Sequence, residues 1–291
     1  MCASQSSFQT GNFIARPLGS VLGHFKWILI FLMLGSLGNP GPVWAGATLS
    51  IAAASDLKPA LEEIIAGFRI LHPQASFDVI YGSSGKFYTQ IQQGAPFDLF
   101  FSADITLPRN LVAQGLAGGP VRPYAIGRLV IWSSVRNVST WSLQNLVDPA
   151  LGKIAMANPR HAPYGQRAEE ALRAVGVWDA VLERLVLGEN IAQTAQFAAS
   201  GNATVGIIAL SLALDPVMAG AGSYALIKPG LHAPLEQGFI ITQQGVGKPL
   251  VQEFAVFMTS PQARDILGRF GFDLPAGSEA SCEGGREGDH G

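Results

Sequence analysis

Cysteine is almost absent from this sequence, and the usual metal-binding patterns are missing. Of its 291 residues two are cysteines and five are histidines. Cys2 and Cys282 stand near opposite ends of the chain, outside any C-x-x-C or Cys/His spacing, which argues against a disulfide framework and a zinc site. No H-E-x-x-H pair occurs among the histidines, so the zinc-protease pattern is missing too. We therefore expect no cofactor and no metal ion held directly by side chains.

Charge is also scarce and balanced. Charged residues make up 14% of the chain, and 19 basic against 21 acidic residues give a net charge of -2. No long-range field favours nucleic acid or a membrane surface, so we expect neither as a partner. A hydrophobic content of 48% is typical of a globular protein. If such a chain binds an anion, local geometry must do the binding.

No apolar run near the N-terminus is long enough to span a membrane. Residues 27–37 form an apolar run of about 11 residues, whereas a spanning helix needs about 20. Arg16 and Lys26 precede it, helix breakers follow at 38–42, and a small-x-small site ends at Ala45. This pattern predicts a signal peptide over residues 1–45. The tail, residues 276–291, is rich in Gly, Glu and Ser and is predicted to be disordered.

The rest of the chain alternates apolar runs with helical patterns, which predicts an α/β fold. Near-continuous apolar strands indicate sheets buried on both faces, as in parallel sheets covered by helices. The predicted strands are 49–51, 77–81, 97–101, 129–132, 154–157, 205–209, 224–227 and 239–242. The first helix carries one apolar face, formed by Leu57, Leu61, Ile64, Ile65, Phe68 and Leu71. Further helices are predicted at 86–93, 165–175, 191–200, 249–260 and 262–270.

Four strand-to-helix turns carry glycines and small hydroxyl residues. They lie at residues 52–57, 81–86, 162–165 and 188–191, and Ser55 is predicted to cap the first helix. In open α/β sheets ligands bind at the carboxyl ends of strands, where helix N-termini offer N–H groups and partial positive charge. Converging turns of this kind suit a small oxyanion. Ordinary caps and turns use the same residue types, so the pattern alone indicates only an α/β protein with candidate anion sites.

At these turns the sequence resembles the periplasmic molybdate-binding proteins of bacterial ABC importers. The shared stretches are 52–55 (AAAS), 82–85 (GSSG), the pattern Q-I-x-x-G-A-P-x-D-x-F-x-S-A-D at 90–104, 158–159 (NP) with 162–165 (APYG), 170–172 (EAL), 189–191 (ENI) and 271–272 (GF). The resemblance implies a class II periplasmic-binding-protein fold, with two α/β lobes, a central ligand cleft and a crossing-strand hinge. It divides the chain into lobe 1 (residues 46–127 plus 232–275) and lobe 2 (128–231).

The resemblance also implies a binding site made of neutral donors. Ser55 and Ser84 would offer hydroxyl and backbone N–H groups, with the N–H of Asp56 as an extra donor. Tyr164 and Ile191 would offer backbone N–H groups from the second lobe.

One position departs from the family pattern. Many members donate a tyrosine hydroxyl to the anion from the position where this chain has Ala209. Tyr164 is the candidate to replace part of that role.

By this resemblance the chain is the substrate-binding component of an ABC transporter, capturing molybdate and also tungstate in the periplasm. It implies an inner-membrane permease as partner, a monomer, and no enzymatic activity. One alternative keeps the fold but takes sulfate or phosphate. Another is a hydrolase using Ser84 and His161, but no G-x-S-x-G elbow or acid partner supports it.

Overall fold

A computed structural model describes residues 48–275 of the chain, and they build two five-stranded sheets, each with helices packed on it. The predicted signal peptide and the predicted disordered tail lie outside these residues. The strands are β1 (Thr48–Ala54), β2 (Ser76–Gly82), β3 (Leu99–Ser102), β4 (Arg122–Gly127), β5 (Leu129–Ser133), β6 (Ile154–Ala157), β7 (Leu185–Gly188), β8 (Val205–Ala209), β9 (Ser223–Leu226) and β10 (Leu235–Ile241). The helices are α1 (Lys58–Leu71), α2 (Ser84–Gln92), α3 (Thr106–Ala113), α4 (Pro163–Ala174), α5 (Trp178–Val181), α6 (Ile191–Ala199), α7 (Leu210–Ala213), α8 (Pro216–Ala221), α9 (Pro249–Phe257) and α10 (Pro261–Arg269).

The chain crosses between the two sheets twice. The first sheet has the order β2-β1-β3-β10-β4, and the second has the order β7-β6-β8-β5-β9. The chain leaves the first sheet after Gly127 and enters the second at Leu129, then returns between Leu226 and Leu235. We call the first sheet with its helices the first lobe, and the second sheet with its helices the second lobe.

Both sheets are mixed rather than wholly parallel. β1 runs parallel to β2 and β3, and β6 runs parallel to β7 and β8. The crossing strands reverse direction: β10 is antiparallel to β3 and β4, and β5 is antiparallel to β8 and β9. Apolar composition predicted that these strands would be buried, but it does not specify strand direction.

The predicted helical face of α1 is the one that packs into the first lobe's core. Leu57, Leu61, Ile64, Ile65 and Phe68 are at most 2% exposed. Leu71 continues the same periodicity but ends the helix and is 64% exposed, so its predicted burial was wrong.

Sequence patterns missed six elements: β4, β7, α3, α5, α7 and α8. The last three are each at most six residues long. β4 carries Arg122 and Pro123, and β7 is only partly buried at the edge of its sheet. α3 holds Pro108 inside its first turn. Polar residues and prolines weaken the periodic signal on which the prediction depends. No helix within residues 48–275 combines the length and apolarity that a membrane crossing requires.

Candidate oxyanion-binding site

The four turns meet between the two lobes. A small cavity is lined by Ser55, Asp56, Ser84, Tyr164 and Ile191, together with their neighbours in the turns and Ala103. Three of these residues belong to the first lobe and two to the second. All five residues assigned by sequence thus face one space, and their binding of an anion stays a prediction.

Ser55 does not cap a helix as predicted. Residues Ser55–Leu57 form a single 3-10 turn, and Leu57 occupies the N-cap position of α1. The Ser55 hydroxyl instead reaches the second lobe, where it donates to Asn190 Oδ1 at 3.2 Å and accepts from the Ala192 N–H at 3.2 Å. Ser55 therefore joins the start of α1 to the start of α6.

The two serines of the second turn make different contacts. Ser83 is the N-cap of α2 and accepts from the Lys86 N–H. Ser84, 1% exposed, accepts from the Ala103 N–H at 3.0 Å. The Ser84 O–H has no acceptor within residues 48–275 and Ser84 lines the cavity, so this proton is available to a ligand there.

Two helices of the second lobe point their N-termini at the cavity. α4 starts at Pro163 with Tyr164 next, and α6 starts at Ile191 after an Asn190 cap that accepts from the Gln193 N–H at 2.9 Å. The first N–H groups of a helix have no partner within the helix. They carry partial positive charge and are suited to bind an anion.

The side chain of Asp56 lies in a buried polar network beside the cavity. Its Oδ2 accepts from the Tyr164 hydroxyl at 2.9 Å and from Gln237 Nε2 at 2.7 Å, and its Oδ1 has no hydrogen-bond partner. Gln237 Oε1 in turn accepts from the Tyr124 hydroxyl at 2.5 Å. Burial raises the pKa of Asp56 to about 6, against the lowering effect of the hydrogen bonds from Gln237 and Tyr164. Burial, and then the nearby Asp56 charge, raise the pKa of both tyrosines.

This network determines which group accepts the hydrogen bond from the Tyr164 hydroxyl. Because that hydroxyl donates to Asp56, its proton is not offered to the cavity. Ala209, fully buried at the end of β8, supplies no hydroxyl either. The donor of Tyr164 that remains for a ligand in the cavity is therefore its backbone N–H.

A second set of contacts joins the lobes through the turn at 82–86. Lys86 Nζ forms an ion pair with Glu189, and His161 Nε2 lies 3.8 Å from the same carboxylate. The Ser83 hydroxyl lies 2.9 Å from His161 Nδ1, and the Gly85 N–H donates to the His161 carbonyl at 2.9 Å. Burial, and then the Lys86 charge, lower the pKa of His161. The motif at 189–191 did not predict a role for Glu189, although this side chain pairs with Lys86 across the lobes.

The same geometry bears on the hydrolase alternative. His161 contacts Ser83 rather than Ser84, and the Ser83 hydroxyl oxygen already caps α2. Among residues 48–275 no three His, Cys, Asp or Glu side chains cluster in a way that could hold a metal ion.

Comparison with known proteins places this architecture in a family. Residues 49–273 match the family model of bacterial extracellular solute-binding proteins. The chain belongs to this family. Members of this family bind small solutes. Similarity to an ABC transporter substrate-binding protein implies a membrane permease as partner.

Similar members include molybdate-binding proteins. The chain is 33% identical over 237 residues to the molybdate-binding protein ModA of Rhodobacter capsulatus, covering 81% of this chain and 92% of that protein. A putative ABC transporter substrate-binding lipoprotein of Bacillus subtilis is 29% identical over 227 residues, which cover 77% of this chain and 86% of that protein. These relatives are solute-binding proteins, which confirms the prediction that the chain is not an enzyme.

Solved structures agree on the fold. The periplasmic molybdate-binding protein of Azotobacter vinelandii superposes with a TM-score of 0.70 at 32% identity, covering 78% of this chain and 99% of that structure. The sulfate-binding protein SubI of Mycobacterium tuberculosis has a TM-score of 0.67 at 14% identity, covering 80% of this chain and 88% of that one, and it shows the fold alone. The predicted two-lobed periplasmic-binding-protein fold is thus confirmed.

Proposed function

We propose that this chain is the substrate-binding component of a bacterial ABC importer and captures molybdate, and tungstate with it, in the periplasm. In this proposal the signal peptide at residues 1–45 exports the chain, which works as a monomer without a cofactor or nucleic acid. The observation that supports it most is the shared cavity of Ser55, Asp56, Ser84, Tyr164 and Ile191. The choice of molybdate as the anion is supported by similarity to molybdate-binding relatives.

Neutral donors are sufficient to hold a dianion here. In the proposed complex the Ser55 hydroxyl turns from Asn190 Oδ1 to the anion. It joins the Ser84 hydroxyl and the N–H groups of Ser55, Asp56 and Ser84 on one side. The N–H groups of Tyr164 and Ile191 close the other side. Each charge-assisted hydrogen bond contributes about 1.5–3 kcal/mol, so about seven would offset desolvation and leave nanomolar affinity, about -12 kcal/mol.

Anion size provides the selectivity in this proposal. Sulfate is smaller than molybdate, so donors placed for the larger ion would lie too far from some sulfate oxygens. A buried donor left without a partner costs free energy, which selects against the smaller anion. Molybdate and tungstate share size and shape and should bind alike.

Thermal unfolding with four anions tests the proposal. Molybdate or tungstate at about 100 times its Kd should add about 2.7 kcal/mol, which for a protein of this size raises Tm by about 5–10 °C. Sulfate and phosphate at the same concentration should give no comparable shift. Equal shifts from sulfate and molybdate would contradict the molybdate assignment, and no shift from any of the four would contradict an oxyanion site.

Removing one hydroxyl donor should weaken binding without unfolding the chain. Ser84→Ala takes away the O–H that faces the cavity, so we expect a loss of about 1–3 kcal/mol in affinity by calorimetry. Ser102→Ala is a matched control, because Ser102 is equally buried but its hydroxyl bonds to the backbone of Asp104 outside the cavity lining. Unchanged affinity in Ser84→Ala would remove this residue from the site.

A further inference from the structure

The carboxyl group of Asp56 has no role in the proposed anion contacts, yet it links the two lobes. It accepts from Tyr164 on α4 of the second lobe and from Gln237 on β10 of the first. The Asp56 backbone carbonyl also accepts from the Ser211 hydroxyl on α7 at 2.7 Å. Asp56 is 0% exposed, and contacts from both lobes fix the position of its side chain.

No positive charge balances this carboxylate in the described part of the chain. The side chains of Gln237 and Tyr164 donate to it, and the backbone N–H groups of Asp56 and Leu57 also favour its charged form. The titratable groups that face it are Tyr124 and Tyr164. None of the ion pairs found within residues 48–275 involves it. Burying an ion without a counter-ion is costly, and the usual outcome is neutralisation by a proton.

A bound dianion would increase this cost. Asp56 lines the same cavity as the anion donors, so two further negative charges would lie close to the carboxylate. Like charges at a shared site strongly disfavour the ionised form of a carboxyl group. One of its oxygens, Oδ1, has no hydrogen-bond partner and can carry a proton without giving up either existing contact.

Resting on the proposed function, we propose that Asp56 is a positioning residue that takes up a proton when the oxyanion binds. The neutral carboxyl group keeps the Tyr164 and Gln237 hydrogen bonds on Oδ2 and holds the proton on Oδ1. It thereby fixes Tyr164, whose backbone N–H faces the anion, without placing a negative charge beside the anion. The proton comes from solvent, and no covalent bond of the anion changes.

The direction of the pH effect follows from proton uptake. Burial raises the pKa of Asp56 to about 6, and the dianion raises it further in the complex. Above about pH 6 the free protein is then mostly ionised at Asp56, while the complex stays protonated until its higher pKa is reached. Affinity should fall as the pH rises, approaching tenfold per pH unit for one proton.

Calorimetry in buffers of different ionisation enthalpy tests this. Titrating the purified protein with molybdate near pH 7 should reveal uptake of about one proton per anion. Asp56→Asn has nearly the same shape and no charge, so it should lose the proton uptake and flatten the pH profile. At about pH 8 it should bind molybdate more tightly than the original protein. His161→Gln is the matched control, because among the titratable residues of the other lobe contact His161 has the ordinary pKa nearest pH 7. This variant should keep the uptake.

Infrared difference spectra provide a test that needs no folded variant. Adding molybdate to the original protein should produce the carbonyl stretch of a protonated carboxyl group. Molybdate binding without proton uptake and without that band would overturn the Asp56 assignment alone. Uptake that persists in Asp56→Asn and disappears in His161→Gln would also overturn it. Absence of binding by either molybdate or tungstate at every pH would instead refute the proposed function, and the Asp56 assignment with it.

Discussion

Gly85→Ala is expected to reduce the affinity for molybdate by about 100-fold or more while leaving each lobe folded. A Cβ at this position would lie 2.5 Å from the carbonyl oxygen of His161 in the other lobe. The lobes would have to separate to relieve this clash, and the Gly85–His161 hydrogen bond would be lost. Donors of the second lobe would then move away from the anion, at a cost of about 3 kcal/mol or more.

The substitution is selective because alanine suits the helix itself. Gly85 lies in the first turn of α2, and alanine has a higher helix propensity than glycine. Gly268→Ala is the matched control, since this glycine lies in α10 with no atom within 4 Å of an added Cβ. Calorimetry measures the molybdate affinity of both variants, and thermal unfolding shows whether they remain folded. Nearly unchanged affinity in Gly85→Ala would mean that the observed lobe contact is not required for binding.

Gly165→Ala is expected to affect stability as well as binding. An added Cβ would lie 2.2 Å from the Ala157 carbonyl oxygen and 2.9 Å from the Pro159 nitrogen. These are backbone atoms within the same lobe, so no side chain can move aside. The start of α4 would have to shift away from the end of β6, which we expect to cost about 3 kcal/mol of unfolding free energy. Tyr164 would shift with it, so molybdate affinity should also fall.

Denaturant unfolding and calorimetry check this second prediction. Gly220→Ala provides the comparison, because Gly220 lies in α8 and an added Cβ meets nothing within 4 Å. The comparison variant should keep the stability and affinity of the original protein. If Gly165→Ala unfolds at the same denaturant concentration as the original protein, α4 and β6 leave enough room for the added methyl group.

Gly85 and Gly165 show how far motif spacing can predict a site. Both were singled out in the sequence as members of turns, and both turns do line the cavity. Spacing alone could not distinguish their roles. Gly85 approaches a backbone atom of the other lobe, whereas Gly165 approaches the strand before its own helix. The first case depends on how the two lobes meet.

The roles of individual side chains were harder to predict than the location of the site. Ser55 was expected to cap its own helix, but its hydroxyl bonds to Asn190 and Ala192 at the start of α6. Tyr164 was expected to replace a missing hydroxyl donor, but its hydroxyl bonds to Asp56. A side chain takes the partner that geometry offers, and both partners lie more than a hundred residues away in sequence.

The sequence by itself determined what short-range physics controls. Periodic apolar residues specified α1 and most of the buried strands, and glycines with small hydroxyl residues marked the turns where an anion could approach the backbone. Only the tertiary structure decided the directions of β5 and β10 and the network around Asp56. Tyr164 and Gln237 stand 108 and 181 residues from that aspartate. Local patterns reflect neighbours a few positions away, whereas these contacts exist because two crossings of the chain bring both lobes together around one cavity.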